Sequence, residues 1–295
     1  NEQEQNWVIN AVAHRIVHGG ELFTSSVLLN EEIINKLKQL NCLAPLHQPH
    51  NLAAVEIIKK SHPQLAQIAC FDTAFHADHS PFFTTYALPQ TIRSQGVRRY
   101  GFHGLSYEWI VEVLKHQYPE IASKRIIAAH LGNGSSLCAI HHGLSIDTTM
   151  GLTALDGVPM GSRSGSIDPG AIIYMIRNLN LSPDNVEQIL YNQSGLLGLS
   201  GQTNDVQQLE ENKGVNAQFA LDFFCLKTAQ FIAMMAISLG GVDGIVFTGG
   251  IGENSEKIRS SILEKIECLK PFSVYIIPAN EEKMMAMHAL NILAI

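Results

Sequence analysis

Clusters of positive charge are missing from this chain. Its 20 Lys and Arg stand against 27 Asp and Glu, for a formal net charge of −7, and the densest basic run is Arg98-Arg99. A polyanion surface needs clustered Lys and Arg, so no nucleic-acid partner is expected and each basic side chain reads as a local instrument. Cysteine is also thin: the five residues Cys42, Cys70, Cys138, Cys225 and Cys268 are scattered and form no C-x-x-C pair. That pattern argues against a disulfide framework or a zinc site and for a reducing cytosol. Long hydrophobic runs are short too. The best uncharged stretch, Thr228 to Val242, falls below the roughly 20 residues a spanning helix needs, so it reads as a core helix and no membrane partner is expected. Neither G-x-x-x-x-G-K-[ST] nor G-x-G-x-x-G occurs, which removes Walker and Rossmann readings. Repeats, low-complexity tracts, charged tails and clear interdomain linkers are lacking as well. No signal peptide is legible, and Asn1 in place of an initiator Met predicts a natural amino terminus further upstream.

What is present is an alternation of strand and helix patterns. With 295 residues, 46% hydrophobic and 16% charged, the chain can bury a sizeable core. Asn30 reads as the cap of a helix ending near Asn41, and Asn51 as the cap of a second helix through Lys60. Between them, Cys42 to Asn51 is a loop with two prolines and two histidines. Leu65 to Phe71 has strand length and ends at Asp72. Ser106 caps a helix to Tyr118, and Arg125 to Leu131 and Ser135 to Ile140 read as strands joined at Gly132-Asn133-Gly134. Helices follow from Asp168 to about Asn178, from Ser182 to about Tyr191, and from Val215 to Leu239. Asp243 to Thr248 reads as a buried strand, Gly249 to Gly252 as a tight loop, Asn254-Ser255 as the cap of a helix through Glu267, and Val274 to Pro278 as a last strand. The fold class is α/β.

Chemistry is concentrated in the glycine-rich segments. Asp147 to Thr153, continuing through Met160 to Gly165, gives up packing side chains for glycine and hydroxyl groups and leaves Arg163 alone among them. Exposed backbone N–H groups around a lone guanidinium fork read as an oxyanion site, against the plainer reading of a surface linker. Strand, Gly-Asn-Gly, strand is a hairpin signal, and positive φ angles in such a turn would aim its N–H groups at one point. As a generic hairpin it needs no function. Strand, glycine loop and helix start at Asp243 to Ser255 make an anion or nucleotide site. Of the 13 histidines, His14 and His18 flank Arg15, His47 lies in the proline loop, and His103 and His130 sit beside glycine turns. Each alone is more often structural than catalytic. A metal-hydrolase reading would use Asp72, His76 and His79, without H-E-x-x-H spacing.

Taken in order, His14 to Glu21, Phe71 to His76, Arg99 to Gly104, Ala129 to Gly134, Pro159 to Gly165 and Phe247 to Ser255 resemble the motifs of the acetate kinase family. The resemblance implies phosphoryl transfer between ATP and acetate, giving acetyl phosphate and ADP, with Mg²⁺ (Mn²⁺ as an alternative) and a cytoplasmic homodimer. It implies two actin-like, ribonuclease H-like lobes of mixed sheet flanked by helices, with the active site in the cleft. Residues 1–75 with 283–295 would form one lobe and 76–282 the other. Arg15 and Arg163 would grip carboxyl and phosphoryl oxygens, His130 would donate to the phosphoryl group in flight, His103 would support the same centre, and Asp72 would act near the carboxylate and metal. Val17, Leu46, His47, Phe102 and Ala154 would bind substrate. Gly132, Asn133 and Gly134, with Gly249, Gly250, Ile251, Gly252, Glu253 and Asn254, would hold the nucleotide, as would His130, and Glu281 the metal. The competing readings are a propionate or butyrate kinase and, from another class, a non-catalytic nucleotide-binding regulator.

Departures from the family are also legible. Its amino-terminal strand and Asn- and Ser-rich phosphate loop are not in this sequence. A lobe without its opening strands would expose a sheet edge and an apolar face, which predicts about 70 to 80 residues before Asn1, including that loop facing His130. The segment Lys270 to Ser273 is shorter than the family's hairpin, Ser166 stands where the family has Asp, and Ala154 stands where it has a pocket proline.

Overall fold

A computed structural model describes residues 8–45 and 47–294. The chain opens with strand β1, Ala11–Ile16, then β2, Val27–Leu28, helix α1, Glu31–Gln39, helix α2, Gln48–Ser61, and strand β3, Ala66–Phe71. Asn30 caps α1 as its position predicts, its side chain accepting from the Ile33 N–H. Helix α2 begins earlier than the Asn51 cap suggested, because Pro49 fits a first helical turn. Asn51 therefore lies inside the helix, and its side chain is free to accept from the Val17 N–H at 3.1 Å. The three strands form a sheet in the order β1-β3-β2, with β1 and β3 parallel and Ile16 opposite Phe71. Both faces of β3 are covered. Ala69 and Phe71 pack with Leu37, Leu52 and Val55 on one side, and Ile68 and Cys70 with Leu105 and Met284 on the other. Burial on both faces is why the strand reads as a continuous apolar run.

Two short helices, α3 (Pro81–Thr84) and α4 (Gln90–Arg93), lead to α5, Gly104–Gln117. Helix α5 starts ahead of the predicted cap: Ser106 lies within its first turn, and the residue before the helix is His103 at φ 60. Strands β4 (Ile126–His130), β5 (Ser136–His141) and β6 (Leu144–Thr148) follow, then helices α6 (Pro169–Arg177), α7 (Pro183–Asn192), α8 (Gly195–Ser200), α9 (Val206–Glu211) and α10 (Val215–Leu239). Strand β7 (Gly244–Thr248), helices α11 (Gly249–Asn254) and α12 (Glu256–Lys265), strand β8 (Ser273–Ile276) and helix α13 (Glu281–Leu293) complete the described chain. The second sheet runs β6-β5-β4-β7-β8, antiparallel through β4 and parallel from β4 to β8. On one of its faces lies α10, packed on β5, α8 and α12, and on the other α5.

Helix α10 has 25 residues and is, among the described residues, the one helix long and apolar enough to cross a membrane. The uncharged stretch seen in the sequence is only its latter part. Its inner face, including Leu221, Phe224 and Ile232, is buried against the sheet.

Three local expectations are corrected. Asp147 to Met150 is not an open oxyanion loop: Asp147 and Thr148 end β6, and all four residues are buried. The turn at Gly132 to Gly134 has no positive φ. It is closed instead by Ser135, whose hydroxyl accepts from the Gly132 N–H and donates to the Gly132 carbonyl. The segment expected as a tight loop, Gly249 to Gly252, is the first turn of α11, entered through Gly249 at φ +76. A Cβ there would lie 2.7 Å from the Leu131 carbonyl oxygen, so the entry requires glycine.

Candidate active site

The parallel pairing of β1 with β3 brings Arg15 beside the end of β3. The Asp72 N–H donates to the Ile16 carbonyl, and Arg15 Nε donates to both Asp72 carboxylate oxygens at 2.9 and 3.0 Å. Asp72 is 3% exposed, and burial raises its pKa while the guanidinium opposes that rise. The carboxylate in turn holds Arg15 above its ordinary value. Only Nε of Arg15 is engaged among the described residues, which leaves its terminal nitrogens for another anion.

These two residues line a cavity of about 320 Å³ together with Val17, His47, Asn51, Phe102, His103, Gly134, Ala154 and Arg163. Arg163 reaches it from the 160–165 loop, donating to the Ala154 carbonyl at 3.2 Å and facing the Tyr191 ring. It has no carboxylate partner among the described residues, and burial lowers its pKa. Partly buried cations without a counter-ion are costly, which makes Arg163 a candidate anion ligand. Burial, and then the charges of Arg163 and Arg15, lower the pKa of His47. A narrow recess off the cavity is walled by Val17, Phe102, Ala154, Thr153 and Tyr191, and holds about 10 Å³. Leu46, also expected here, lies outside the described residues.

The two central histidines are brought together but not on equal terms. Their rings stack at 4.5 Å, with His103 on the cavity wall and His130 behind it. His130 ends β4 and His103, at φ 60, stands immediately ahead of α5. His130 Nδ1 pairs with Ser106 Oγ at 2.9 Å and His103 Nδ1 with Ser136 Oγ at 2.8 Å. Burial lowers the pKa of both, His130 to about 4 and His103 well below its ordinary value. Gly134 faces the cavity, and a Cβ on it would stand 3.4 Å from His103 Nε2 and 3.7 Å from Arg163 Nη1, in contact with both side chains. The His103 and Arg163 nitrogens thus both lie beside Gly134 on the cavity wall.

A second, larger cavity of about 580 Å³ lies past the same turn. It is lined by Gly132, Asn133, Gly250, Ile251 and Asn254 from the expected set, and by Asn204, Asp205, Val206, Gln207, Glu210 and Ser255. Asn133 ties three loops: its carbonyl accepts from the Gly161 N–H and its Oδ1 from Asn204 Nδ2. Gly249 and Gly252 are buried beneath this wall, and Glu253 turns away to accept from the Ala279 N–H. Asn204 to Glu210, like Tyr191, gave no motif, and Asn51 was legible only as a cap.

Several flagged residues are structural. His14 bonds Gln67, and His76 spans Ser145 and the Phe102 carbonyl, with His79 on the same serine. Asp72, His76 and His79 form no metal cluster, and among the described residues no three of His, Cys, Asp or Glu converge. His18 is buried, with Nδ1 accepting from the Gly20 N–H and the ring edge-on to Tyr100 and Phe102. Arg98 pairs with Glu21 and Arg99 with the Thr148 carbonyl.

Lobes of sheet and helix, with a paired-arginine anion cavity and a larger groove beside it, define a phosphotransferase of the actin-like fold. A model described as the Acetokinase family matches residues 1–270. A relative from Nitrobacter hamburgensis named acetate kinase is 44% identical over 96% of this chain and 75% of its own length. The crystal structure of Porphyromonas gingivalis acetate kinase superposes with a TM-score of 0.88 at 35% identity, over 96% of this chain and 78% of that one. That of a propionate kinase from Francisella tularensis gives 0.90 at 37% identity, over 95% and 78%. The chain belongs to the acetokinase family.

Proposed function

We propose that this protein is an acetate kinase, transferring a phosphoryl group reversibly between ATP and acetate to give acetyl phosphate and ADP. The observation that carries the reading is Arg163: a partly buried guanidinium without a carboxylate among the described residues, sharing with Arg15 and His103 a cavity with an apolar recess. In phosphoryl transfer the protein mainly aligns the partners and stabilises charge on the equatorial oxygens. Arg15 and Arg163 are placed for that charge and for the substrate carboxylate, and His103 for a neutral donor. His130 supports it from behind. Acetate is already a carboxylate, so Asp72 orients Arg15 rather than accepting a proton. Val17, Phe102 and Ala154 enclose the methyl group, with His47 at the rim.

The glycine-walled cavity is the proposed ATP and ADP site, with Asn133 linking it to the Arg163 loop. Asp72 and Glu281 fit a Mg²⁺ site: both are hard oxygen donors, and the Glu281 charge acts on Asp72 and Arg15. Mg²⁺ commonly takes one or two carboxylates plus phosphate oxygens, and Mn²⁺ suits the same donors. When bound, the ion neutralises phosphate charge. The proposed division into lobes is residues 1–75 with 283–295 and 76–282, and the separate sheets β1-β3-β2 and β6-β5-β4-β7-β8 support it.

An apolar face supports the homodimer. No residue of α6 is buried, yet it carries Ile173, Tyr174 and Ile176, with Ile167 and Leu179 at its ends. A groove runs from Ile167 to Phe223 on α10, and contiguous apolar surface of this kind favours a second copy. Five free thiols accord with the cytoplasm. A propionate or butyrate kinase is the second reading, favoured by Ala154 on the recess. A nucleotide-binding regulator would need neither recess nor paired arginines. Hydroxylamine trapping of acyl phosphate with acetate, propionate and butyrate tests all three: absence of any ATP-dependent trapped product refutes the kinase.

A further inference from the structure

Behind His103 lies a hydrogen-bond chain made of groups that the sequence motifs do not single out. His103 Nδ1 is 2.8 Å from Ser136 Oγ, and the same oxygen is 2.5 Å from the phenolic oxygen of Tyr107. Tyr107 stands four residues after His103, one turn up α5, and Ser136 opens β5 across the hairpin from His130. Tyr107 and Ser136 are both fully buried, and Ser136 Oγ is the only hydrogen-bond partner of the Tyr107 hydroxyl among the described residues.

The chain can run in one direction without stranding a proton. If Tyr107 donates to Ser136, the serine hydrogen is left for His103 Nδ1, and every group is satisfied. If His103 donated from Nδ1, Ser136 would have to donate to Tyr107, and the phenolic hydrogen would be buried with no acceptor. Leaving a buried donor unmade is the costly alternative. The same direction disfavours an imidazolium, whose Nδ1 must donate. A parallel arrangement holds the ring stacked behind: Ser106 Oγ, fully buried, has only His130 Nδ1 as a partner among the described residues.

Resting on the kinase reading above, we infer that Ser136, aligned by Tyr107, is a positioning residue that fixes His103 in the tautomer with its proton on Nε2, pointing into the anion cavity. Ser106 does the same for His130. The arrangement supplies an N–H donor toward the arginine-lined cavity without adding a third cation beside Arg15 and Arg163. It also prevents Nε2 from presenting a lone pair, which would repel phosphoryl oxygens. An orienting group of this kind acts through the imidazole and touches no substrate.

The test is a two-bond proton–nitrogen correlation spectrum of the full chain labelled with ¹⁵N-histidine at neutral pH, with His103→Gln assigning the signal. The expected pattern is a protonated Nε2 and an acceptor-type Nδ1 for His103. A protonated Nδ1 or an imidazolium overturns the inference. In Ser136→Ala the His103 tautomers should mix, and kcat for acyl phosphate should fall by about 10- to 100-fold, a fraction of what a wrong tautomer costs a triad histidine. KM for acetate and ATP should stay within about twofold, as for a group acting only on the transition state. An unchanged tautomer and kcat in that variant refute the positioning role. Should Ser136→Ala fail to fold, Tyr107→Phe removes a single oxygen: the His103 Nδ1 resonance must then move toward that of a free imidazole, and a stationary resonance counts against the chain. Because the spectrum needs no turnover, an Nε2–H signal in a protein that makes no acyl phosphate would sink the kinase reading and leave this one standing.

Discussion

Among the described residues Arg163 has no carboxylate to neutralise it and Arg15 engages only Nε, so each is available to an incoming anion. Replacing either by Ala should lower kcat by about 10²- to 10⁵-fold, the range for losing an oxyanion donor or an arginine finger. Circular dichroism should show the fold retained, and near-normal turnover would remove that arginine from the mechanism. Ala154 gives the second prediction at this scale. The recess it walls holds about 10 Å³, close to one water-sized group, and a proline ring in place of Ala154 would narrow it. One methylene is worth roughly 1–3 kcal/mol, so kcat/KM for acetate over propionate should stay below about 10³. Ala154→Pro should raise that ratio. Arg163 was legible in the sequence because a lone cation in a glycine-rich stretch is unusual. The order of His103 and His130 was not, because it depends on a left-handed backbone residue and a ring stack that no spacing encodes.

Among the elements, α10 and β7 were the easiest to read, since a long apolar run with a Gly240 stop and a short buried run bounded by Gly have few other interpretations. Helix α10 owes its place to its inner face. Phe224 is fully buried there, and Phe224→Ala should destabilise the protein by about 3–5 kcal/mol, seen as a lower denaturation midpoint with secondary structure intact below it. Strand β6 and the start of α11 were misread as loops because glycine and hydroxyl residues look alike in a buried strand, a helical turn and an open loop. Their tertiary neighbours decided: Thr148 Oγ1 donates to the Leu137 carbonyl, and the Ile251 and Gly252 N–H groups both reach the Leu131 carbonyl.

At the scale of the molecule, buried neutral histidines set the response to acid. Burial lowers His18, His76 and His130 to about 4 and His79 to about 3, whereas the unfolded chain titrates near 6.5. Between those values the unfolded state binds more protons, so stability is full above about pH 6.5 and is lost as the pH falls toward 4, by about 1.4 kcal/mol per pH unit for each histidine. Thermal midpoints from pH 7.5 to 4.5 should fall accordingly, and a flat profile would show that these rings are not buried neutral. For the proposed homodimer through the α6 face, Ile173→Glu should halve the mass found by sedimentation, and an unchanged mass would remove that face as the interface. The sequence by itself determined the α/β class, the order of most elements, and the residue types able to grip phosphate and carboxylate, because periodicity and local chemistry are written in neighbouring residues. Tertiary structure alone decided which of them meet: Arg15 joins Asp72 through the β1 and β3 register, and Asn133 joins the Arg163 loop to the larger cavity. Convergence of distant groups is a property of chain packing, and no local pattern carries it.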